Sequence, residues 1–522
     1  MQPVLNISTG DTTFTTRILT KSILENTVTE FLGRLGIIAG IETTTTDSAD
    51  FLMVDGKICR YPAALVKEVE NSLAHTDADG ADAEFWQRLI EQVLWLQPWL
   101  LFPESSLADY FPGFDTTIPA VKTSLPDLVY ELLELKLSIG NKEKIRKLAG
   151  QHKEIEFLRE ALVESLSGSH INICIHPAYF QALVALTADN NIFEMIREGM
   201  FYETGISYPP FKVALDDELP APFFYFEVNA YRSIPFKGIL TDTILVNDSP
   251  DRIALLGIKA TPATNPANGN LCAFIPADKK PEAEKSGLMT WDALGYFIIC
   301  FSSFLRTNGQ AFITKKLVLN YAKNLNTIYP ALVGLAMPES RIPIVTKVLR
   351  LLAKEKISIR NLKTIFEAVA GYGWVIGDDH RFIIFDERVP VPADTPDLRD
   401  DAELIAGFVR TKLKKEISNK YSRGQGTLVV YLLDPAIEKI FCLADSSPVA
   451  EPANEDDRVL QAAGKELNNP VVSQQQTVVL TTQSVRPHFK RCIETVYPHV
   501  AVLSYQELTG DMNIQPIARI SF

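Results

Sequence analysis

His170 and His176 lie six residues apart at the ends of a short β-rich run, HINICIHP, and could meet at a metal only with further ligands. None of the six cysteines, at 59, 174, 272, 300, 442 and 492, is close enough in sequence to another for zinc-ligand spacing. The other histidines, His75, His152, His380, His488 and His499, are scattered and read as structural or solvent-exposed. Two carboxylate pairs, Asp216-Asp217 and Asp378-Asp379, are of the type acid/base chemistry uses. Both sit at turn-like positions, where Asp caps and bends the chain. GYGWVIG from Gly371 has the wrong glycine spacing for a dinucleotide turn and follows a helical pattern, so it reads as a helix end and loop. G-x-x-x-x-G-K-[ST], H-E-x-x-H and G-x-S-x-G are all missing. The residues therefore point away from catalysis and imply no cofactor or metal. An enzyme remains an alternative only if residues 1–165 carry an unrecognised site.

At 522 residues the chain is too long for a single core, and three or more modules are expected. The hydrophobic fraction of 46% and charged fraction of 22% are those of a globular protein. A net charge of −13 argues against nucleic-acid binding; it fits solubility or an acidic face for a basic partner. Sparse thiols suit a reducing cytoplasm. MQPVLNISTGDTTF lacks the basic start and apolar core of a secretory signal. The longest apolar stretch, ALGYFIICFSSFL, is well short of the ~20 residues a membrane span needs, so no span is expected and a buried helix is.

The elements that would position any site follow from periodicity. In residues 1–165, RILTKSILENTVTEFLGRLG reads as an amphipathic helix and FLMVDGKICRY as a hairpin turning at Asp55-Gly56. AEFWQRLIEQVLWLQPWLLF is helical until Pro98. Next come the strand HINICIHP, a long helical pattern interrupted near Asp189-Asn190, and two strands around the Pro-rich connection of YPPFKVALDDELPAPFFYFEVNAY. Residues 234–281 read as short strands and turns, with TPATNPANGN the clearest loop. Helices dominate from Met289 to Lys420. After the strand TLVVYLL and a helix led by Asp434-Pro435, ADSSPVAEPANEDD reads as an exposed loop. The chain closes with a β-α-β order, TVVLTT, SVRPHFKRCIETVYP and VAVLSY, expected to form a parallel module.

One phrase occurs twice. LSIGNKEKI from Leu137 and ISIRNLKTI from Ile357 both follow a Leu-rich run and share Ser, Ile, Asn and a final Ile. Ser358 is the expected N-cap of the second, and Leu362, Ile365, Phe366 and Val369 then share one helix face. The second copy reads as a core helix and the more charged first copy as a surface one. FLREAL from Phe157 and FVRTKL from Phe408 likewise each precede a β run that ends in an X-Pro-Ala helix start. The two pairs are separated by different distances, so duplication and chance both stay open.

Five phrases, in order, resemble the FHIPEP family of flagellar and type III secretion export-gate proteins. They are GISYPPFKVALDDELPAPFFYFEVNAYRSIPFKG, GLMTWDALGYFIICFSSFLRTNGQAFITKKLVLNYAKNLNTIYPALV, VTKVLRLLAKEKISIRNLKTIFEAV, GTLVVYLLDPAIEKI and VVLTTQSVRPHFKRCIETVYPHVAVLSYQEL. The resemblance runs from about His170 to Phe522. It implies a mixed α/β and α multidomain fold preceded by an unassigned α+β domain at 1–165. An α/β platform would take 166–233 and 282–312, an inserted small α/β subdomain 234–281, a helical subdomain 313–425, and a C-terminal α/β subdomain 426–522. It further implies a non-enzymatic cytoplasmic component, peripheral to the inner-membrane export apparatus. Such a component would dock secretion chaperones, export substrates or gatekeeper proteins and could form a homo-oligomeric ring. A family cleft beside the helical subdomain makes Phe301, Phe304, Phe312 and Arg360 the partner-binding candidates. The three phenylalanines also fit an ordinary core stripe, and Arg360 a solvated helix side. Two departures stand out: 1–165 replaces the family's membrane domain, and LGYF at 294–297 replaces its THL.

Overall fold

The computed structural model describes residues 4–8, 21–35, 42–46, 52–54, 57–58, 61–73, 78–98, 119–152, 154–186, 191–372, 381–384, 387–390, 401–444, 452–468 and 477–522. They form a mixed α/β structure with several sheets, arranged around separate apolar cores.

At the front, strands Glu42–Thr46, Val4–Ser8, Leu52–Val54 and Lys57–Ile58 lie side by side in that order. The last two pair antiparallel across the position of Asp55-Gly56, as the hairpin signal required. The helices Lys21–Arg34, Ala63–Ser72, Ala78–Leu96, Pro119–Glu134, Lys142–Ala149 and Ile155–Leu166 supply a core of their own, around Phe31, Phe85, Trp95, Leu132 and Leu162. His75 and Cys59 lie outside the described residues.

The largest core begins at strand Ile171–Ile175, which pairs parallel with Phe211–Leu215 and antiparallel with Phe223–Val228. The two strands read around the Pro-rich connection are therefore not partners; Ile171–Ile175 lies between them. The helix Ala293–Thr307 covers this sheet, and the expected break between Pro177–Ala185 and Ile192–Thr204 is present.

A second sheet runs Thr261–Thr264, Leu271–Pro276, Thr243–Val246, Thr290–Trp291. One expectation is corrected here. The first residues of TPATNPANGN are an edge strand, where Pro262 is tolerated because its missing N–H faces no partner. The sheet also recruits Thr290–Trp291, beyond the insertion boundary of 281.

The helices Lys315–Asn326, Pro330–Ala336, Ile342–Lys354, Leu362–Tyr372, Ala402–Lys412 and Lys414–Ser422 extend the main core. A hairpin, Arg381–Ile384 with Glu387–Pro390, lies within the stretch read as dominated by helices. The closing sheet runs Ala501–Ser504, Val478–Thr481, Thr427–Leu433, Asn513–Ile520, all parallel, as the β-α-β order predicted. Part of the expected acidic loop is the helix Pro452–Leu467, whose first position suits proline.

The two copies of the opening phrase share one backbone device. Lys136 and Lys356 both adopt left-handed φ, 61° and 60°, at the end of a helix. Leu137 N–H donates to Leu132 O at 3.0 Å and Ile357 N–H to Leu352 O at 2.8 Å, while Lys136 and Lys356 N–H close the inner bonds at 2.9 Å each. This is a Schellman ending with lysine where glycine is usual. The cap that follows is not the expected Ser358. Asn361 Oδ1 accepts from Thr364 N–H at 3.3 Å, and Asn141 Oδ1 from Lys144 N–H at 3.1 Å. The serine hydroxyls accept only from the amides two residues ahead, Ser138 from Gly140 and Ser358 from Arg360. Of the two helices, Leu362–Tyr372 buries six residues and Lys142–Ala149 only Ile145, so the second is the core helix.

Candidate functional site

Phe301, Phe304 and Phe312 all lie inside the main core. Asp292 caps the Ala293–Thr307 helix, which carries Phe301 and Phe304, by accepting from Gly295 N–H at 2.8 Å, while Phe312 follows in the short turn Gly309–Phe312. Phe301 then meets Phe211 edge-on at 4.7 Å and Phe226 at 4.9 Å, Phe304 meets Phe226 at 5.1 Å, and Phe312 meets Tyr208 at 5.1 Å. Such contacts set the helix position, and none of the three rings faces solvent. LGYF contributes Phe297 to the same stack.

Arg360 is exposed. Its guanidinium lies over Tyr202 at 5.0 Å, and Tyr202 meets Phe201 edge-on at 6.1 Å. Tyr202 is 61% exposed and Phe201 39%, an uncommon aromatic display for a surface. The ridge is held from below. Ile359 N–H donates to Thr204 O at 2.8 Å, and Gly205, at φ 77°, passes so close that a Cβ there would sit 2.3 Å from Arg360 N. Only glycine fits that approach. Sequence reasoning named Arg360 but not its aromatic neighbours.

Beside this ridge opens a cleft of about 520 Å³, bounded by residues of the 203–208, 267–270, 353–358, 416–423 and 477–502 stretches. Its carboxylates are engaged elsewhere. Glu203 takes both oxygens to Arg306, with Nη2 at 2.9 Å. Glu416 accepts from Asn361 Nδ2 at 2.7 Å. Glu355 takes Arg410 Nη1 at 2.9 Å and Arg486 Nη1 at 2.7 Å, and the same arginines reach the fully buried Glu507. Burial alone would raise the Glu355 carboxyl, but Arg410 and Arg486 outweigh it and hold it at about 2. Burial would lower Arg410; Glu355 and Glu507 hold it up.

A second buried network joins front to rear. Arg350 forms a two-pronged bond to Glu160 at 2.7 and 2.8 Å and donates through Nε to Ile313 O at 2.8 Å. Arg159 reaches Glu131 at 3.2 Å and also pairs with Glu156. FLREAL and FVRTKL thus each place a buried arginine, Arg159 and Arg410, in an ion network.

The groups that first suggested chemistry have local duties. His176 Nδ1 accepts from Ala178 N–H at 3.1 Å as a helix cap, and His170 Nδ1 lies 3.0 Å from Ser169 Oγ. Asp216 bends the chain by accepting from Glu218 N–H at 3.0 Å. Cys174, Cys272 and Cys300 are buried, and burial pushes the Cys272 thiol up to about 12. Asp378-Asp379 and His380 lie outside the described residues. Among the described residues, no group of three or more His, Cys, Asp or Glu is placed to hold a metal. No helix among them is long and apolar enough to cross a membrane.

Several solved structures share this fold. Chlamydia pneumoniae CdsV, solved with CdsO, is 25% identical, covering 68% of this chain and 98% of that one with a TM-score of 0.56. The nonameric EPEC SctV-C is 18% identical, covering 68% and 99%, with a TM-score of 0.51. The fold is thus that of the cytosolic domains of type III secretion export components. The FHIPEP family pattern matches residues 111–513, and the chain belongs to the FHIPEP family. Its relatives include the flagellar biosynthesis protein FlhA of Bacillus subtilis, 23% identical over 75% of this chain and 55% of the relative. The low calcium response locus protein D of Yersinia pestis is also 23% identical, over 65% and 46%. The chain spans about half the length of these relatives.

Proposed function

We propose that the chain is a non-enzymatic docking component of a type III secretion or flagellar-type export apparatus, on the cytoplasmic side of the inner membrane. It receives export chaperones, their substrates or gatekeeper proteins. The observation that carries this reading is family membership across 111–513. The subdomains read from sequence, a platform at 166–233 with 282–312, an insertion, a helical unit and a C-terminal α/β unit, are part of the proposal. The exposed ridge of Phe201, Tyr202 and Arg360 is its docking contact, since aromatic and arginine side chains are the usual anchors of protein interfaces. Phe301 and Phe304 serve it from within by fixing the Ala293–Thr307 helix, and Phe312 by packing on Tyr208. CdsV was solved with CdsO, which supports partner binding by this fold.

The test is capture from native cells with tagged full chain and with a Tyr202→Ala/Arg360→Ala variant. Export chaperones or gate components should be recovered with the first and lost with the second. Equal recovery with both moves the docking site elsewhere, and recovery of no export component overturns the function. A second reading, a subunit of a homo-oligomeric ring, is favoured by the nonameric state of EPEC SctV-C. Light scattering of the purified chain would separate ring from monomer.

A further inference from the structure

The cleft beside the ridge is basic in a protein whose net charge is −13. Three of its ammonium groups, on Lys356, Lys420 and Lys490, make no ion pair among the described residues. Lys420 donates to Lys356 O and Lys490 to Val500 O at 3.1 Å, both backbone carbonyls. The three carboxylates of the lining, Glu203, Glu355 and Glu416, are occupied by Arg306, by Arg410 with Arg486, and by Asn361. Lys354, one residue before Glu355, shows the contrast. It has two carboxylates, Glu134 and Glu494, each at 3.4 Å.

We propose that this cleft binds a small, multiply charged phosphate-bearing anion, held by Lys356, Lys420 and Lys490 where separate parts of the fold meet. The proposal does not rest on the export reading. Ammonium groups gathered without ion-pair partners of their own repel one another, and a dense anion relieves that repulsion. The volume suits a compact ligand, because small-molecule sites run from about 300 to 1,000 Å³. An extended acidic peptide spreads its charges along more than about 3 Å per residue and matches a concave cluster less well. Ser358, Thr477, Asn268 and Tyr421 line the same space and supply neutral hydrogen-bonding groups.

Electrostatics at the site agree. Burial first, then Lys490 and Arg306, lowers the Lys356 ammonium to about 8. Lys420, exposed as a residue, is lowered too, by desolvation at the cleft and by Lys356, with Glu203 opposing and Arg410 and Arg306 adding. Lys490 is lowered by burial although Glu355 and Glu494 oppose it, and His499 is pushed down to about 4 by burial and by Lys356 and Lys490. An incoming anion raises these lysines and takes up protons.

The test is calorimetric titration of the full chain with inorganic phosphate, pyrophosphate and ATP, with sodium chloride as the ionic-strength control. Pyrophosphate and ATP should bind more tightly than phosphate. Lys356→Met and Lys420→Met should each weaken binding by about tenfold, while Lys420→Arg retains most of it. At pH 8, where ATP is already fully ionised, the heat of ATP binding should vary with the buffer's ionisation enthalpy, reporting proton uptake by the lysines. Thermal melting of each variant confirms that it folds. Tighter binding of ATP than of pyrophosphate assigns the site to nucleotides; equal binding assigns it to the phosphates alone. Binding of none of the three, or binding unchanged in a folded Lys356→Met/Lys420→Met variant, overturns the proposal, as does preference for a polyglutamate peptide.

Discussion

Lys136 and Lys356 occupy the same backbone device in two copies of one phrase, yet their side chains meet opposite surroundings. Lys136 lies over Trp95 and Tyr231 at 5.3 and 5.2 Å and donates to Trp95 O at 2.7 Å. Two ring faces and a carbonyl satisfy it inside the front core. Lys356 instead opens on a cleft of other cations. The preceding residue differs too. Leu135 is buried among apolar neighbours, whereas Glu355 draws in Arg410 and Arg486. A helix ending fixes where a side chain leaves the backbone; the neighbouring elements decide whether that position becomes packing or a charged site.

The sharpest way to break the comparison is to remove one carboxylate from each buried network. Glu160→Ala, which takes the two-pronged partner from Arg350, and Glu507→Ala, which takes one of two carboxylates from Arg410, should each cost up to about 3–5 kcal/mol in urea unfolding. A loss below about 1 kcal/mol at either site would show that network to be wet.

Acid should distinguish the copies next. Glu355 is held at about 2, below its ordinary 4.5, so its contribution is present above pH 4.5 and is lost as pH falls toward 2. A shift of this size corresponds to about 3 kcal/mol. Glu355→Gln should flatten the stability profile between pH 5 and pH 2, and an unchanged slope there would sink the assignment.

Gly205→Ala tests how the rear copy is anchored. The added methyl meets the Arg360 backbone at a left-handed residue, and the expected cost is about 1–3 kcal/mol by thermal unfolding. The front copy has no such glycine, its Lys136 O accepting instead from Ala230 N–H at 2.9 Å.

Lysine-to-glycine exchanges separate backbone from side chain. Lys136→Gly should cost about 1–2 kcal/mol because it loses the aromatic and carbonyl contacts. Lys356→Gly should be neutral or stabilising by up to about 1 kcal/mol, since glycine suits the left-handed position. Equal effects would mean that the two environments do not differ in energy. Smallest are the caps. Asn141→Ala and Asn361→Ala should each cost about 1 kcal/mol, and Ser358→Ala less than half of that.

Much of the local structure was legible because periodicity and punctuation report local physics. Asp55-Gly56, the closing β-α-β order and the buried 293–307 helix all follow from a few neighbouring residues. What stayed hidden depends on distant partners. Ser358 looked like the cap because serine favours that position, but the Schellman turn delays the helix start to Leu362 and gives the role to Asn361. Phe301, Phe304 and Phe312 matched both a core stripe and a docking face, and only the sheet above them decides which way the rings point. Lys356, Lys420 and Lys490 carry no mutual signal in sequence, being gathered from three separate stretches of chain.

The network around Arg410 also sets an order for synthesis. Glu355 and Arg410 leave the ribosome well before Arg486 and Glu507, and Arg410 is almost wholly buried in the finished fold. Until Glu507 arrives, drying the contact around Arg410 would leave its second ion-pair partner unmade. The helices around it must therefore stay hydrated on the nascent chain, and this part of the protein can close only after synthesis has passed Glu507.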